Sequence, residues 1–202
     1  WDTDDRERVA CEGSLIEFIK RAWQEIESRP LSLRWFHYVI ANHLEAITYG
    51  DIRNLIINIP PRHSKSLFVN VFYPAWVWCR SEILPLSGPQ VTFLSVSYGA
   101  TLSEEIAVKM RRLVEGDWYQ SLWGDKTRLM EDQRNRANFA NISGGERMSS
   151  SIEGGILGRG ALIQIIDDPM TRRGADSAVE RAASLRGMSD LSTRITDPRV
   201  SA

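Results

Sequence analysis

Two short stretches of this chain combine charged side chains with apolar runs in a way that suits phosphate chemistry. The first is Asn54–Ser66, in which the β-branched run Leu55–Ile59 leads into Pro60-Pro-Arg-His-Ser-Lys-Ser66. The run is too short for a helix and is typical of a buried strand in an α/β sheet. Because a new apolar run starts at Leu67, the sequence predicts a strand, a loop and then the N-terminus of a helix. Unpaired N–H groups and the helix dipole favour an anion there.

The loop supplies the side chains that we expect to contact phosphates. These residues are Pro61, Arg62, His63, Ser64, Lys65 and Ser66. Lys65 would reach the terminal phosphates, and the Ser66 hydroxyl would be a ligand of Mg²⁺. The loop departs from the common G-x-x-x-x-G-K-[ST] pattern because Ile59 and Ser64 occupy the two glycine positions. Serine does not tolerate positive φ as glycine does, so an ordinary strand, turn and helix with an exposed lysine is the alternative.

The second stretch is Ala161–Pro169, an apolar strand pattern that ends in two carboxylates. Asp167, at the strand end, would hold Mg²⁺ directly or through water, because a hard divalent ion prefers oxygen ligands. Asp168 would orient or deprotonate the water that attacks a bound nucleotide, a task for which P-loop ATPases usually have Glu. The alternative is a solvated turn before Pro169. The two stretches together favour nucleotide chemistry more strongly than either does alone.

Five separated motifs support a family resemblance. Besides Pro60–Ser66 and Ile165–Pro169, they are Tyr73–Trp76, Ser95–Tyr98 and Gly154–Gly160. In this order they resemble the ATPase domain of the large terminase subunits of tailed bacteriophages, the motors that package viral DNA. The resemblance extends from about Leu33 to Arg194, and the family normally has Gly where this chain has Ser64.

The resemblance implies a three-layer α/β P-loop fold of the RecA-like (ASCE) type with a mostly parallel sheet. It also implies Mg²⁺-dependent ATP hydrolysis that drives double-stranded DNA into a procapsid. The implied cofactors are ATP and Mg²⁺. The implied partners are viral double-stranded DNA, the portal protein, the small terminase subunit and further copies of the chain in a ring. The place of action would be the cytoplasm of the infected bacterial host, transiently on the procapsid.

The resemblance also implies roles for two arginines and for an aromatic pair. Arg159 would act as a finger in the neighbouring subunit's site, with an ion pair inside its own subunit as the alternative. Arg62 is the competing candidate for an arginine that acts in cis. Trp35 and His37 precede the loop and would cover the adenine, whereas the alternative places Trp35 in the core and His37 on the surface.

Composition narrows the class of protein. The chain has 202 residues, a net charge of −1, 43% apolar and 25% charged residues, which is typical of a globular domain. This charge argues against a broad basic surface that coats nucleic acid. No apolar run is long enough to cross a membrane. Cys11 and Cys79 form no metal or disulfide spacing, so we expect both in the core and a reducing cytosol.

The remaining patterns predict elements that alternate between strand and helix. We expect a capping box at Ser14 and Glu17, and a helix that starts at Ser64 and ends or kinks at Pro74. Further expectations are listed in chain order: a strand at Val91–Ser97, a helix capped by Thr101 and Glu104, a surface excursion over 116–136, a hairpin around Gly144-Gly145 and a helix over Asp176–Arg194.

The expected domain organisation is a helical segment over 1–50 and a P-loop ATPase core over 51–202. We expect this core to stop before the end of the ATPase domain and the nuclease domain to be absent, so that the fragment should not cut DNA. Two alternatives stay open, a helicase-like P-loop ATPase and a nucleotide-binding module without turnover.

Overall fold

The computed structural model describes residues 3–81, 86–152, 160–170 and 172–192. The helices are α1 (Thr3–Gly13), α2 (Leu15–Ile26), α3 (Trp35–Tyr49), α4 (Lys65–Leu67), a π-helix (Phe68–Phe72), α5 (Tyr73–Cys79), α6 (Ala100–Glu115), α7 (Asp117–Thr127), α8 (Arg172–Asp176) and α9 (Ala178–Ser192). The strands are β1 (Phe93–Ser97), β2 (Leu129–Arg134), β3 (Phe139–Asn141), β4 (Glu146–Ser151) and β5 (Ile163–Asp167).

The strands form one five-stranded sheet in the order β2-β3-β4-β1-β5. Strand β1 pairs in parallel with both β4 and β5, whereas β3 pairs antiparallel with β2 and β4. The sheet is therefore mixed, and the expectation of a mostly parallel sheet is wrong. The predicted hairpin at Gly144-Gly145 explains the difference, because it joins β3 directly to β4 and so forces these strands to be antiparallel.

Helices cover both faces of this sheet, as an α/β layer architecture requires. Phe93 of β1 belongs to the large core formed with the helices before and after it, α2, α3, α5 and α6 among them. Its neighbours Leu94 and Val96 pack in a second cluster with Leu191 of α9. Because alternate residues of a strand point to opposite faces, the two clusters lie on opposite sides of the sheet. The α/β fold with two-sided burial is confirmed.

The run Leu55–Ile59 does not join the sheet. It is extended, and no strand is assigned to it. Its exposure alternates, with Ile56 85% exposed and its neighbours partly buried. A cavity of about 630 Å³ is lined both by residues 53–58 and by residues 163–168. The expectation of a buried strand at Leu55–Ile59 is therefore wrong, and β5 pairs only with β1 in the described part of the chain.

Pro74 does not end the helix that follows the loop. The chain is helical without a break from Lys65 to Cys79, but it passes through a π-helix at Phe68–Phe72. Pro74 has no N–H to donate to the carbonyl of Asn70. Instead, the N–H of Tyr73 donates to the carbonyl of Phe68, five residues earlier. The wider π-helical turn accommodates the proline, and the helix continues beyond it.

Neither predicted capping box forms. Ser14 precedes α2, but its side chain makes no capping hydrogen bond, and the N–H of Leu15 donates to Glu45 Oε1 at 2.6 Å instead. Helix α6 starts after Gly99, one residue before Thr101. At α2 a tertiary contact replaces the local cap, and at α6 the helix begins at a different residue.

The C-terminal half contains two further corrections. The expected surface excursion over 116–136 holds α7 and β2, and α7 buries Tyr119, Leu122 and Trp123. Helix α9 forms as predicted and Leu191 is buried, but Val179 is 76% and Leu185 65% exposed. The apolar side chains of this helix are thus only partly buried.

The expected burial of the two cysteines is confirmed, since Cys11 and Cys79 are free, buried thiols. In the described ranges, no helix has both the length and the apolar character needed to span a membrane.

Candidate active site

The two stretches singled out by their chemistry meet in space. Lys65 Nζ lies 3.2 Å from Asp167 Oδ1 and 2.8 Å from Asp168 Oδ1. Lys65 opens α4 and Asp167 ends β5, so the start of a helix faces the carboxyl end of the last strand in the described sheet. The Asp167 side chain is 8% exposed, whereas that of Asp168 is 69% exposed. One carboxylate is thus inside the protein and the other faces solvent.

The pKa of Lys65 reflects this position between two acids. Burial by itself lowers the pKa of the ammonium, but the hydrogen bond from Lys65 to Asp168 and the charge of Asp167 outweigh it. The pKa is raised above its usual value, so the lysine stays charged at neutral pH. A charged lysine is what binding of an anion requires.

Two residues of the loop before Lys65 have a strained backbone conformation. Arg62 has φ of 67° and Ser64 has φ of 58°, both in the left-handed region. Ser64 precedes α4 directly, and its carbonyl accepts the N–H of Phe68 at 3.0 Å. Glycine adopts this conformation without a steric penalty. Ser64 therefore takes up the backbone conformation expected of the glycine that the common pattern would place there.

Asp168 is the third residue of this kind, with φ of 45°. Its carbonyl accepts the N–H of Tyr98 at 3.3 Å, which ties the residue after β5 to the residue after β1. Within the described ranges, the non-glycine residues with positive φ are Arg62, Ser64 and Asp168. Strained backbone concentrates at functional sites because the surrounding structure must hold it, and here all of it lies around Lys65.

His63 fastens the loop to itself and to α3. Its Nδ1 lies 3.1 Å from the carbonyl oxygen of Pro60 and 2.9 Å from that of Pro61, so the ring N–H donates to this pair. The ring also meets Phe36 edge-on at 5.3 Å. His63 thereby shapes the loop, and its contacts are within the protein.

Trp35 and His37, the aromatic pair before the loop, have the reverse of the burial that the alternative interpretation expected. Trp35 is 77% exposed and His37 is 5% exposed. The His37 ring stacks on Phe68 at 4.9 Å, its Nδ1 accepts the N–H of Arg34 at 2.9 Å, and burial lowers its pKa. The expectation of a buried Trp35 and a surface His37 is wrong, because the first turn of α3 directs His37 toward the helix that follows the loop. Contact of Trp35 with a base stays a prediction.

Sequence reasoning missed a polar pair behind Asp167. Asn70 Nδ2 donates to Asp167 Oδ2 at 3.3 Å, and Ser95 Oγ donates to Asn70 Oδ1 at 2.5 Å. All three side chains are buried. The available signal was that Asn70 is a lone amide in the apolar run Leu67–Cys79. A buried amide usually has a specific hydrogen-bonding partner.

Of the two candidate arginines, the structure describes Arg62 but not Arg159. Arg62 is exposed on the loop, two residues before Ser64. Arg159 and the turn around it, residues 153–159, lie outside the described residues, and only Gly160 of that motif is within them. The expected arginine finger therefore stays a prediction.

The donor set suits a Mg²⁺ ion that a nucleotide brings with it. The Asp167 carboxylate and the Ser66 hydroxyl are hard oxygen ligands, and Ser66 follows Lys65 in the first turn of α4. In the described ranges, no three His, Cys, Asp or Glu side chains gather into a metal site. Magnesium typically takes one or two protein carboxylates and completes its shell with phosphate oxygens and water, so these residues fit the ion as a nucleotide complex.

Comparison with known proteins adds no relative. No family model matches the chain, and no curated protein shows significant similarity to it.

Proposed function

We propose that this chain binds ATP with Mg²⁺ between the loop Pro60–Ser66 and the end of β5, and hydrolyses it. The observation that carries the proposal is the position of Lys65, 3.2 Å from Asp167 and 2.8 Å from Asp168. A loop lysine at a helix start, opposite carboxylates at the end of a strand, is the arrangement used for phosphoryl transfer by P-loop ATPases.

Each residue has a distinct role in this proposal. Lys65 exchanges its two carboxylate partners for terminal phosphate oxygens, while the N–H groups of the first turn of α4 face the phosphates. Ser66 and Asp167 hold Mg²⁺, which neutralises phosphate charge when it is bound. Asp168, whose side chain is largely exposed, orients the attacking water and accepts its proton. Arg62 or Arg159 offsets the charge that develops on the transferred group.

The wider biological role rests on the resemblance to terminase large subunits. Hydrolysis would drive viral double-stranded DNA into a procapsid in the cytoplasm of an infected bacterium. The partners in this role are the portal protein, the small terminase subunit and further copies of the chain in a ring. The net charge of −1 fits a motor that touches DNA locally.

A calorimetric and thermal-shift titration with Mg·ATP and Mg·ADP tests the binding step. Ligand at about one hundred times its Kd stabilises a fold by about 2.7 kcal/mol. We expect this shift in the wild-type chain and not in Lys65→Ala. The matched control is Lys20→Ala, which removes an exposed lysine that pairs with Glu17 of its own helix. Equal shifts in wild type and Lys65→Ala would refute the phosphate site.

A second candidate function is nucleotide binding without turnover. It is favoured by the short Asp168 side chain, which pairs with Lys65 in this structure. Release of phosphate from Mg·ATP decides between the two functions. For a hydrolase, Asp168→Asn should keep Mg·ATP binding and lower turnover by about two orders of magnitude or more, as loss of a positioned base does. Tight binding by the wild type with no phosphate release would select the binding module, and strand separation would select a helicase.

A further inference from the structure

Asn70 is a buried polar residue in a helical stretch that is otherwise apolar. Its side chain is fully buried within the π-helix, between Val69 and Val71. Burial of an amide costs free energy unless its hydrogen-bonding groups have partners. Both ends of this amide have one, since the oxygen accepts from Ser95 and the nitrogen donates to Asp167.

The orientation of this amide follows from chemistry. An ionised carboxylate can only accept hydrogen bonds, so the Asn70 NH₂ group must face Asp167 and the oxygen must face Ser95. The Ser95 hydroxyl then has to donate, which it does at 2.5 Å. Ser95 thereby fixes the rotation of the amide, and the amide in turn presents a donor to Asp167.

The two oxygens of Asp167 are divided between two partners. Oδ2 accepts from Asn70 at 3.3 Å, and Oδ1 lies 3.2 Å from Lys65 Nζ. The amide thus holds the buried oxygen and leaves the other oxygen toward the loop. The Asp167 carboxylate is thus held by a neutral donor on a fully buried side chain.

Lys65 and Asn70 are five residues apart and contact the same carboxylate, along a helical stretch that includes the π-helix. In a regular α-helix, residues five apart point about 140° away from each other around the axis. A turn with bonds between residues five apart reduces this offset, and such turns often occur at functional sites. The turn is present here because Pro74 cannot donate to the Asn70 carbonyl, and Tyr73 donates to Phe68 instead.

We propose that Asn70, anchored by Ser95, is a positioning residue that aims Oδ1 of Asp167 at the Mg²⁺ position of the site. The inference rests on the proposed nucleotide function and goes beyond it, because it assigns the metal dependence of binding to an amide remote from the phosphates. Groups that orient metal ligands typically change metal affinity by about tenfold to one hundredfold when they are removed.

The test measures the Kd of ADP twice for each variant, once in EDTA and once in saturating Mg²⁺. The ratio of the Kd in EDTA to the Kd in Mg²⁺ measures how much the metal strengthens ADP binding, and it requires no turnover. In Asn70→Leu, which cannot donate, we expect the Kd in EDTA to stay unchanged and the ratio to fall by about tenfold. Ser95→Ala should lower the ratio less, and it should have no further effect in the Asn70→Leu background. The control Asn42→Leu, at an exposed position of α3, should keep the wild-type ratio.

The outcomes separate this inference from the proposed function. If the wild type binds ADP with a clear Mg²⁺ enhancement that Asn70→Leu retains, the positioning role is refuted and the nucleotide site stands. Equal weakening in EDTA and in Mg²⁺ also refutes it, because Asn70 would then support the whole loop. If the wild type binds ADP under neither condition, both the proposed function and the inference that rests on it are refuted. Should Asn70→Leu fail to fold, Ser95→Ala decides, since it removes one hydroxyl and leaves the amide free to rotate.

Discussion

Replacement of Ser64 by glycine should stabilise the protein. Ser64 has φ of 58° and ψ of 13° directly before α4. The left-handed conformation costs an ordinary residue about 1–2 kcal/mol, whereas glycine adopts it freely. Glycine also gives the unfolded chain more freedom, which costs about 0.5–1 kcal/mol. The difference predicts a net gain of about 0.5–1 kcal/mol for Ser64→Gly, or about 2 °C in Tm for a domain of this size.

Two companion variants show whether backbone conformation is the cause. Ser64→Ala removes the hydroxyl but keeps a Cβ in the left-handed region, so it should be no more stable than the wild type. Ser66→Gly places glycine in the first turn of α4 and should lose about 0.5 kcal/mol. Urea unfolding in EDTA, without nucleotide, measures all of them. A loss of stability in Ser64→Gly, or an equal gain in Ser64→Ala, would contradict the left-handed conformation of the loop.

Three further predictions concern buried groups. Burial holds the pKa of His37 below its usual value of 6.5, so the unfolded chain binds a proton that the folded chain does not. Stability should therefore fall as the pH is lowered through 6.5. His37→Phe should flatten this dependence in urea unfolding at a series of pH values, while His43→Gln, at an exposed position of α3, should not. Burial raises the pKa of Cys11 to about 12, so an aromatic disulfide reagent should label the native chain far more slowly than the unfolded chain; fast native labelling would contradict the buried position. A Cβ at Gly145 would lie 1.9 Å from the carbonyl oxygen of Pro89, whereas one at Gly13 meets nothing within 4 Å. Gly145→Ala should therefore unfold at much lower denaturant concentration than Gly13→Ala, and similar midpoints would be inconsistent with the close packing of the hairpin.

The parts of the fold that follow from local patterns were predictable. The runs Val91–Ser97 and Ala161–Pro169 predicted β1 and β5 because short runs rich in apolar and β-branched residues are typical of strands in an α/β sheet. Asp167 could be assigned to a site before any contact was known because it is a carboxylate at the end of a predicted strand and carboxylates suit a hard divalent ion. The hairpin at Gly144-Gly145 followed from its turn residues in the same way.

The remaining parts depend on contacts that are distant in sequence. Leu55–Ile59 has the pattern of a strand, but a strand exists only where a partner pairs with it, and the run itself does not encode that partner. In place of a Ser14 cap, the N–H of Leu15 donates to Glu45, thirty residues later. The role of Asn70 depends on a π-turn that Pro74 imposes and on Ser95 in another element. Such features are set by tertiary structure, which overrides local propensity.

The contact between Lys65 and Asp168 also constrains how the protein is made. It joins positions 103 residues apart, and β1 and β5 must both be in place before Asp168 is fastened to Tyr98. During synthesis the ribosome releases the loop long before the carboxylates, at about 5–20 residues per second. Contacts of such long sequence separation form late because closing the loop costs chain entropy first. A nascent chain therefore passes through a period in which Lys65 has emerged without its acidic partners.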